Sequence, residues 1–346
     1  MARPPKPGIR CATLAVIQVT EDPRQRAHRL LQRWGWNATS FQTLSEGFSY
    51  WFTHEGCVAY AACGGAWVGA GAPIADSDRL SQVANGFVEA AAARGKRASF
   101  FAVEQRFLRA TKMSSFLVGE QPVYDPGVWC THLRRSASLR EQLRRARAKG
   151  VHVSPGVPVD DANELARVHE AWLSRHALPG MGFLTGLDPF SEERPRRYFV
   201  ARSRENRIEG FAALSPVYAR QGWLFEHLVR SPSAPNGTVE LLVDAAMRAL
   251  ADDGVAWATL GLAPLAGDVA LPLKWVRRWA EPLYNFEGLR AFKAKLGPVR
   301  WDPVYLAYPR TNNGLTALCD GLAAFTRGRP LGFATRSLSK SLMRSS

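Results

Sequence analysis

The sequence predicts an α+β fold built from two halves that repeat one order of elements. Three observations carry that expectation. The chain has 346 residues and is 46% hydrophobic, which is enough for two cores. Strand-like runs occur as adjacent pairs joined by short turns, which favours antiparallel hairpins over a βαβ series. The order strand–strand–helix–strand–helix–strand can be read twice along the chain.

In the first half, 57–63 and 67–71 are strands joined across Gly64-Gly65, a hairpin signal. A helix follows over 78–94, then a strand over 98–103, a helix over 104–112 and a strand over 116–119. In the second half, 207–217 and 222–229 form the hairpin. Helix 237–252, strand 255–260, helices 269–279 and 286–296, and strand 304–308 complete it. Between the halves, 138–150 reads as a helix with Leu139, Leu143 and Ala146 on a narrow apolar stripe and Gly150 as its C-terminal cap. Arg140, Arg144, Arg145, Arg147 and Lys149 surround that stripe. They form either a solvated face or a phosphate-contacting rod. The expected organisation is an N-terminal half over 1–137, this basic helix over 138–150, a catalytic half over 151–312, and a basic helix or tail over 313–346. The tail is an amphipathic membrane-surface segment or a frayed terminus.

The net charge is +15. A field of that sign favours polyanions, either nucleic acid or an anionic membrane surface, although it also serves solubility. Five scattered cysteines without CxxC spacing point to neither a zinc site nor a disulfide framework, and suit a reducing compartment. The N-terminal residues lack a cleavable signal pattern, and no stretch reads as a spanning helix. The histidines have no ligand spacing. Trp223, Trp257, Trp275, Trp279 and Trp301 read as packing residues.

Two segments could carry chemistry. The first runs from Gly222 to Val243. As a strand it alternates, so Leu224, Glu226, Leu228 and Arg230 share a face. It then turns through Pro235-Asn236-Gly237 into a helix, whose first amides at Gly237, Thr238 and Val239 would be free to hold a phosphate or an oxyanion. A plain helix cap is the simpler alternative. The second segment is helix 286–296, where Lys293 falls on the apolar stripe of Phe286, Leu289, Phe292 and Leu296, and Lys295 points away. Such a lysine either meets an anion or snorkels to water.

These segments resemble the C-terminal catalytic domain of the aminoacyl-phosphatidylglycerol synthases. The resemblance rests on Glu281 to Tyr308, on Ser233-Ala-Pro-Asn-Gly-Thr238 and on Leu260-Gly-Leu-Ala-Pro-Leu265. Weaker matches are Trp172-Leu173, Gly180 to Gly186, Gly119-Glu-Gln-Pro122 and the 138–150 helix. The family's Asp appears here as Glu226, and one of its paired arginines as Val229. The family's flippase region is absent from this sequence. The resemblance implies a tandem GNAT-like acyltransferase fold with two mixed sheets, each flanked by helices. It implies transfer of an amino acid from aminoacyl-tRNA to phosphatidylglycerol or a related lipid, without cofactor or metal, at the inner face of the plasma membrane. It implies Glu226, Arg230 and Lys293 as catalytic groups, with Glu226 as general base or ammonium reader; a salt bridge of Glu226 with Arg230 or a neighbouring base is the simpler alternative. Asn236, Gly237, Thr238, Tyr284, Asn285, Phe183 and Glu120 would line the substrates. Rival readings keep the fold: a CoA-dependent or Fem-like acyltransferase, or a non-catalytic tandem that binds RNA or membrane. The Gly-rich CoA loop is replaced here by Pro235-Asn-Gly, which argues against CoA.

Overall fold

The computed structural model describes residues 21–156, 158–174, 189–190, 195–265 and 286–325. The first half opens with helix α1, Pro23–Trp34. The Asp22 side chain accepts from the Arg24 amide at 3.0 Å, Pro23 supplies the first-turn φ, and Ala27 and Leu31 are buried. Strands β1 (Ser49–Phe52), β2 (Gly56–Cys63) and β3 (Ala66–Ala70) form an antiparallel meander with a short β4 (Ile74–Ala75) paired to β2. Helix α2 (Leu80–Ala92) then crosses to β5 (Arg97–Glu104), which lies parallel to β3. Helix α3 (Gln105–Ala110) leads to β6 (Ser114–Tyr124). Helices α4 (Trp129–Arg135) and α5 (Ala137–Ala148) bridge the halves.

The second half starts with β7 (His152–Gly156), α6 (Pro158–Ser174) and β8 (Arg197–Arg202), which sequence periodicity did not reveal. Strands β9 (Ile208–Val217) and β10 (Gly222–Arg230) form the expected hairpin. Helix α7 (Thr238–Asp252) crosses to β11 (Ala258–Thr259), which lies parallel to β10. Hairpin, helix and parallel strand therefore occur once in each half. The repeat read from the sequence is a repeat of topology. Strand β12 (Ala263–Pro264), helix α8 (Phe286–Lys295), strand β13 (Arg300–Tyr308) and helix α9 (Gly314–Phe325) follow. The helix expected over 269–279 lies outside the described residues, as does the tail beyond 325.

The α+β tandem architecture holds, with two corrections. The two sheets expected separately are joined, so the thirteen described strands make one sheet in the order β1-β2-β3-β5-β13-β6-β11-β10-β9-β8-β7, with β12 and β4 paired beside it. The seam is the β6–β11 pair, Tyr124 opposite Ala258 and Val123 opposite Thr259, reinforced by a 2.6 Å bond from the Thr259 hydroxyl to the Pro122 carbonyl. Strand β13, expected to close the second half, is instead inserted between β5 and β6 of the first. Leu306 and Ala307 are fully buried, as befits a strand with a neighbour on each side. Helix α9 packs onto this half too: Ala317 and Ala324 join the cluster around Val68 and Leu306, and Asp320 pairs with Arg97 at 2.7 Å.

Helix α5 buries the predicted stripe of Leu139, Leu143 and Ala146. Its arginines are partly engaged: Arg144 and Arg145 with Glu141, and Arg147 with Asp244 of α7. The loop after α1 lies over the seam, where Ala38 packs with Val123, Val217, Leu224 and Trp257.

Candidate functional site

Glu226 sits at a β-bulge in β10. Phe225 pairs with Leu214 and His227 with Ala213, so Glu226 has no opposite residue on β9. A bulge re-aims a side chain and breaks the alternation on which the sequence reading relied. Arg196, just before β8, donates Nε to Glu226 Oε2 at 2.9 Å and Nη2 to Oε1 at 3.2 Å. Both side chains are 1% exposed. The accessible surface of Glu226 is therefore main chain, because the residue as a whole is only partly buried. The Arg196 guanidinium also lies over the Phe41 ring at 5.1 Å, which ties the pair to the loop after α1. The salt-bridge alternative for Glu226 is thus realised with Arg196 and not with Arg230.

Lys293 is buried, 4% exposed, as its position on the stripe of α8 predicted. The anion expected to compensate it is replaced by backbone. Nζ donates to the carbonyls of Leu260, Gly261 and Leu262 at 2.8, 2.9 and 2.8 Å. Three donors meet three acceptors, so the ammonium is spent on holding the chain end after β11. Burial pulls its pKa down to about 7, while the carbonyls favour the protonated form. Tyr124 of β6 donates its hydroxyl to the Lys293 carbonyl at 2.7 Å. Lys295 points elsewhere, as predicted, to Glu240 at 2.6 Å and Gln142 at 2.7 Å.

At the turn into α7, one of the three amides expected to form a cradle, that of Thr238, is already engaged. The Thr238 amide bonds the Pro235 carbonyl at 3.2 Å, and its hydroxyl bonds the same oxygen at 2.7 Å. Gly237 has φ +96° and lies against α5, where a Cβ would come 2.3 Å from the Gln142 carbonyl oxygen. Asn236 is exposed and accepts from Arg230 at 3.4 Å. Glu120 on β6 pairs with Arg290 of α8 at 3.4 Å, whose guanidinium lies over Trp301. Phe183, Tyr284 and Asn285 lie outside the described residues. The structure thus places Glu120 opposite Ala263 of β12, just beyond the carbonyls that Lys293 holds. It sets Glu226 on a separate strand, and among the described residues no hydrogen bond or ion pair joins Glu226 to Lys293 or Arg230. No group of three or more metal-ligating side chains occurs among the described residues.

Sequence reasoning missed a buried network at the seam. Gln121 of β6 donates to Glu104 of β5 at 3.0 Å, and Glu104 accepts from Arg220 at the tip of the β9–β10 hairpin. Arg220 is stacked against Trp36 and Trp257. Its members come from five separate segments, so no local spacing reveals it. Trp257, expected only to pack, forms one wall.

The chain matches the profile of the family described as phosphatidylglycerol lysyltransferase, C-terminal, over residues 28–308. The phosphatidylglycerol lysyltransferase of Bacillus subtilis (strain 168) is 27% identical, with 85% of this chain and 36% of the relative covered. A solved C-terminal domain, assigned to a lysylphosphatidylglycerol synthetase of Agrobacterium fabrum, superposes with a TM-score of 0.75 at 26% identity, covering 88% of this chain and 97% of that one. The L-PGS structure from Bacillus licheniformis gives a TM-score of 0.75 at 25% identity, covering 89% and 97%. The chain spans about a third of the length of the curated relatives it matches.

Proposed function

The chain belongs to the phosphatidylglycerol lysyltransferase C-terminal family, and on that premise we propose that it is an aminoacyltransferase moving an amino acid from aminoacyl-tRNA to phosphatidylglycerol or a related anionic lipid. The observation that carries the reading is the extent of the match, which runs through both halves and the seam between them. The charge of +15 suits two polyanionic substrates. No described helix is long and apolar enough to cross a membrane, so the proposed contact with the inner membrane face is peripheral.

The reaction is an exchange of esters. A lipid hydroxyl oxygen attacks the aminoacyl ester carbonyl carbon and gives a tetrahedral intermediate with one oxyanion. The bond to the tRNA ribose oxygen then breaks, and that oxygen takes the proton lost by the lipid hydroxyl. The balance requires no nucleotide, and the protein's task is positioning and charge stabilisation. Glu226, whose carboxylate is closed off against Arg196, fixes the bulge and so positions the main chain that faces the substrates. The open main chain of the bulge lies beside it and meets the oxyanion. Lys293 positions residues 260–262, and Arg230 with Asn236 attracts phosphate from the exposed end of β10.

Radiolabelled aminoacyl-tRNA pools incubated with phosphatidylglycerol vesicles should yield labelled lipid, and RNase pretreatment should abolish it. Turnover of acetyl-CoA onto an amine, with no labelled lipid, would replace this reading by the CoA-dependent one.

A further inference from the structure

Helices α4 and α5 meet at Ser136, which ends the first and caps the second. Between them lies an open cleft of ≈ 860 Å³. Leu133 of α4 and Ala137 and Ala148 of α5 give it an aliphatic wall, and Arg140, Arg144 and Arg147 line it as well. The three arginines stand at i, i+4 and i+7, so they share one face of α5. At 1.5 Å per residue they are spaced about 6 Å and then about 4.5 Å along the helix axis.

Each guanidinium is anchored and still has donors to spare. Arg140 gives Nη1 to the carbonyls of Leu133 and Arg134, which braces the corner. Arg144 gives Nε and Nη2 to Glu141, both at 2.8 Å, and Arg147 gives Nη2 to Asp244 at 2.8 Å. Nε and Nη2 of Arg140, Nη1 of Arg144, and Nε and Nη1 of Arg147 have no hydrogen-bond partner among the described residues. The side chains of Arg144 and Arg147 are 69% and 55% exposed. Charge around the cleft does not cancel. Residues 129–149 hold seven basic side chains and one acidic one, Glu141. Arg204 joins them through the Ala148 carbonyl, and Arg248 through Cys130 and Asp244. Asp244 is the second carboxylate of the group, buried against Trp129, Arg147 and Arg248. Glu205 and Glu240, at the edges, are each paired with a further cation, Arg207 and Lys295. Nine cations therefore face two carboxylates.

We propose that this cleft is the docking site for one strand of an RNA backbone, with Arg140, Arg144 and Arg147 donating to its phosphate oxygens. A row of guanidinium forks on a rigid helix suits a row of phosphates. The aliphatic wall suits the sugars between them. A concave cleft admits a strand and not a flat bilayer, and neither α4 nor α5 exposes a large apolar side chain that could insert into lipid. The inference rests on the function proposed above, which supplies an RNA as donor substrate, and it assigns where that RNA is held. Helix α5 reaches the candidate site by its other side. Gln142 accepts from Lys295 of α8 at 2.7 Å, and its carbonyl lies against Gly237 at the entry to α7. RNA docked on α5 is thereby held in register with the helix that carries Lys293 and with the 235–237 turn.

The full chain is titrated with a fluorescent CCA-ended RNA minihelix at several salt concentrations, and its flotation with phosphatidylglycerol vesicles is measured in parallel. Arg144→Gln and Arg145→Gln form a matched pair. Each removes one charge and one partner of Glu141, but only Arg144 lines the cleft. Arg140→Gln and Arg144→Gln should each weaken RNA binding about tenfold at low salt and reduce the slope of log K against log salt by about one. Arg145→Gln should stay within about threefold, the effect of a screened charge that makes no contact. Arg144 bonds only Glu141 of its own helix, so that variant is read even if Arg140→Gln loses the corner and unfolds. Equal losses for Arg144→Gln and Arg145→Gln overturn the proposal, because they mark a diffuse field. A parent chain that does not bind the minihelix overturns it too. So do cleft variants that lose vesicle flotation and keep their RNA affinity, which would make the surface a membrane contact. These readouts do not depend on turnover. RNA bound through the cleft with no labelled lipid in the transfer assay would overturn the proposed function alone, and labelled lipid with equal losses would overturn the docking site alone.

Discussion

Glu226 and Arg196 form a bidentate ion pair in which each side chain is 1% exposed, although 30 residues separate them in sequence. Both charges have left water, and each is tolerated because the other is present. The pair also fixes geometry. Arg196 stands at the start of β8, Glu226 at the bulge of β10, and Phe41 of the N-terminal half packs against the guanidinium. Three segments from the two halves thus meet at one charge pair.

Removing one partner should leave an uncompensated buried charge. Glu226→Ala and Arg196→Ala are each expected to cost about 3–5 kcal/mol, while the double replacement Glu226→Leu with Arg196→Met should recover most of that loss. Urea denaturation of the three variants measures it. Transfer should be lost in the double variant despite its recovered stability. Additive losses in the double variant would mean that the pair is not energetically coupled.

The two lysines of α8 should separate clearly. Lys293→Met keeps the stem but leaves three carbonyls without their donor, which should cost about 2–4 kcal/mol. Lys293→Ala adds a cavity and should be worse. Lys295 is a quarter exposed, and its bond to Glu240 is of the kind worth about 1 kcal/mol or less. Lys295→Ala should therefore unfold within a few degrees of the parent. Similar melting temperatures for the two alanine variants would contradict the assignment of Lys293 as a clamp.

Burial lowers Lys293 from 10.5 to about 7. Between those values the unfolded chain binds more protons than the folded one, so stability should rise with pH across that window. Above about 9 the buried Cys57 thiol works the other way, since burial pushes it up to about 12 and the folded state then keeps the proton. The rise should therefore be visible from about pH 7 to 9, and Lys293→Met should flatten it. Thermal melts in steps of half a pH unit test the slope. A parent whose stability is flat across pH 7–9 would show that the three carbonyls outweigh burial and keep the amine charged.

What was legible in the sequence is what periodicity encodes locally. The stripe of Leu139, Leu143 and Ala146 forecast the buried face of α5, and the phase of Lys293 forecast its burial. The partners were not legible. The carbonyls of residues 260–262 lie about thirty positions from Lys293, and Arg196 lies as far from Glu226. The bulge that turns Glu226 out of the strand alternation leaves no mark in a hydrophobicity pattern. Chain order likewise does not state sheet order, so β13 was assigned to the half that precedes it and not to the one it completes.

The turn into α7 distinguishes packing from an anion cradle most sharply. Gly237 has φ +96°, a conformation that costs a non-glycine residue about 1–2 kcal/mol. A methyl group there would also meet the Gln142 carbonyl oxygen at 2.3 Å and the Ala146 Cβ at 3.3 Å, so α5 would have to move away from α7. Gly237→Ala is therefore expected to destabilise the protein by about 2 kcal/mol or more. Asn236 is exposed with one long bond to Arg230, so Asn236→Ala should stay within about 0.5 kcal/mol. If the turn served instead as an oxyanion cradle, Gly237→Ala would lower kcat while leaving the melting temperature unchanged. Parallel measurement of transfer and melting on the two variants separates these outcomes, because a wedge between α5 and α7 must appear in the melt whatever happens to turnover.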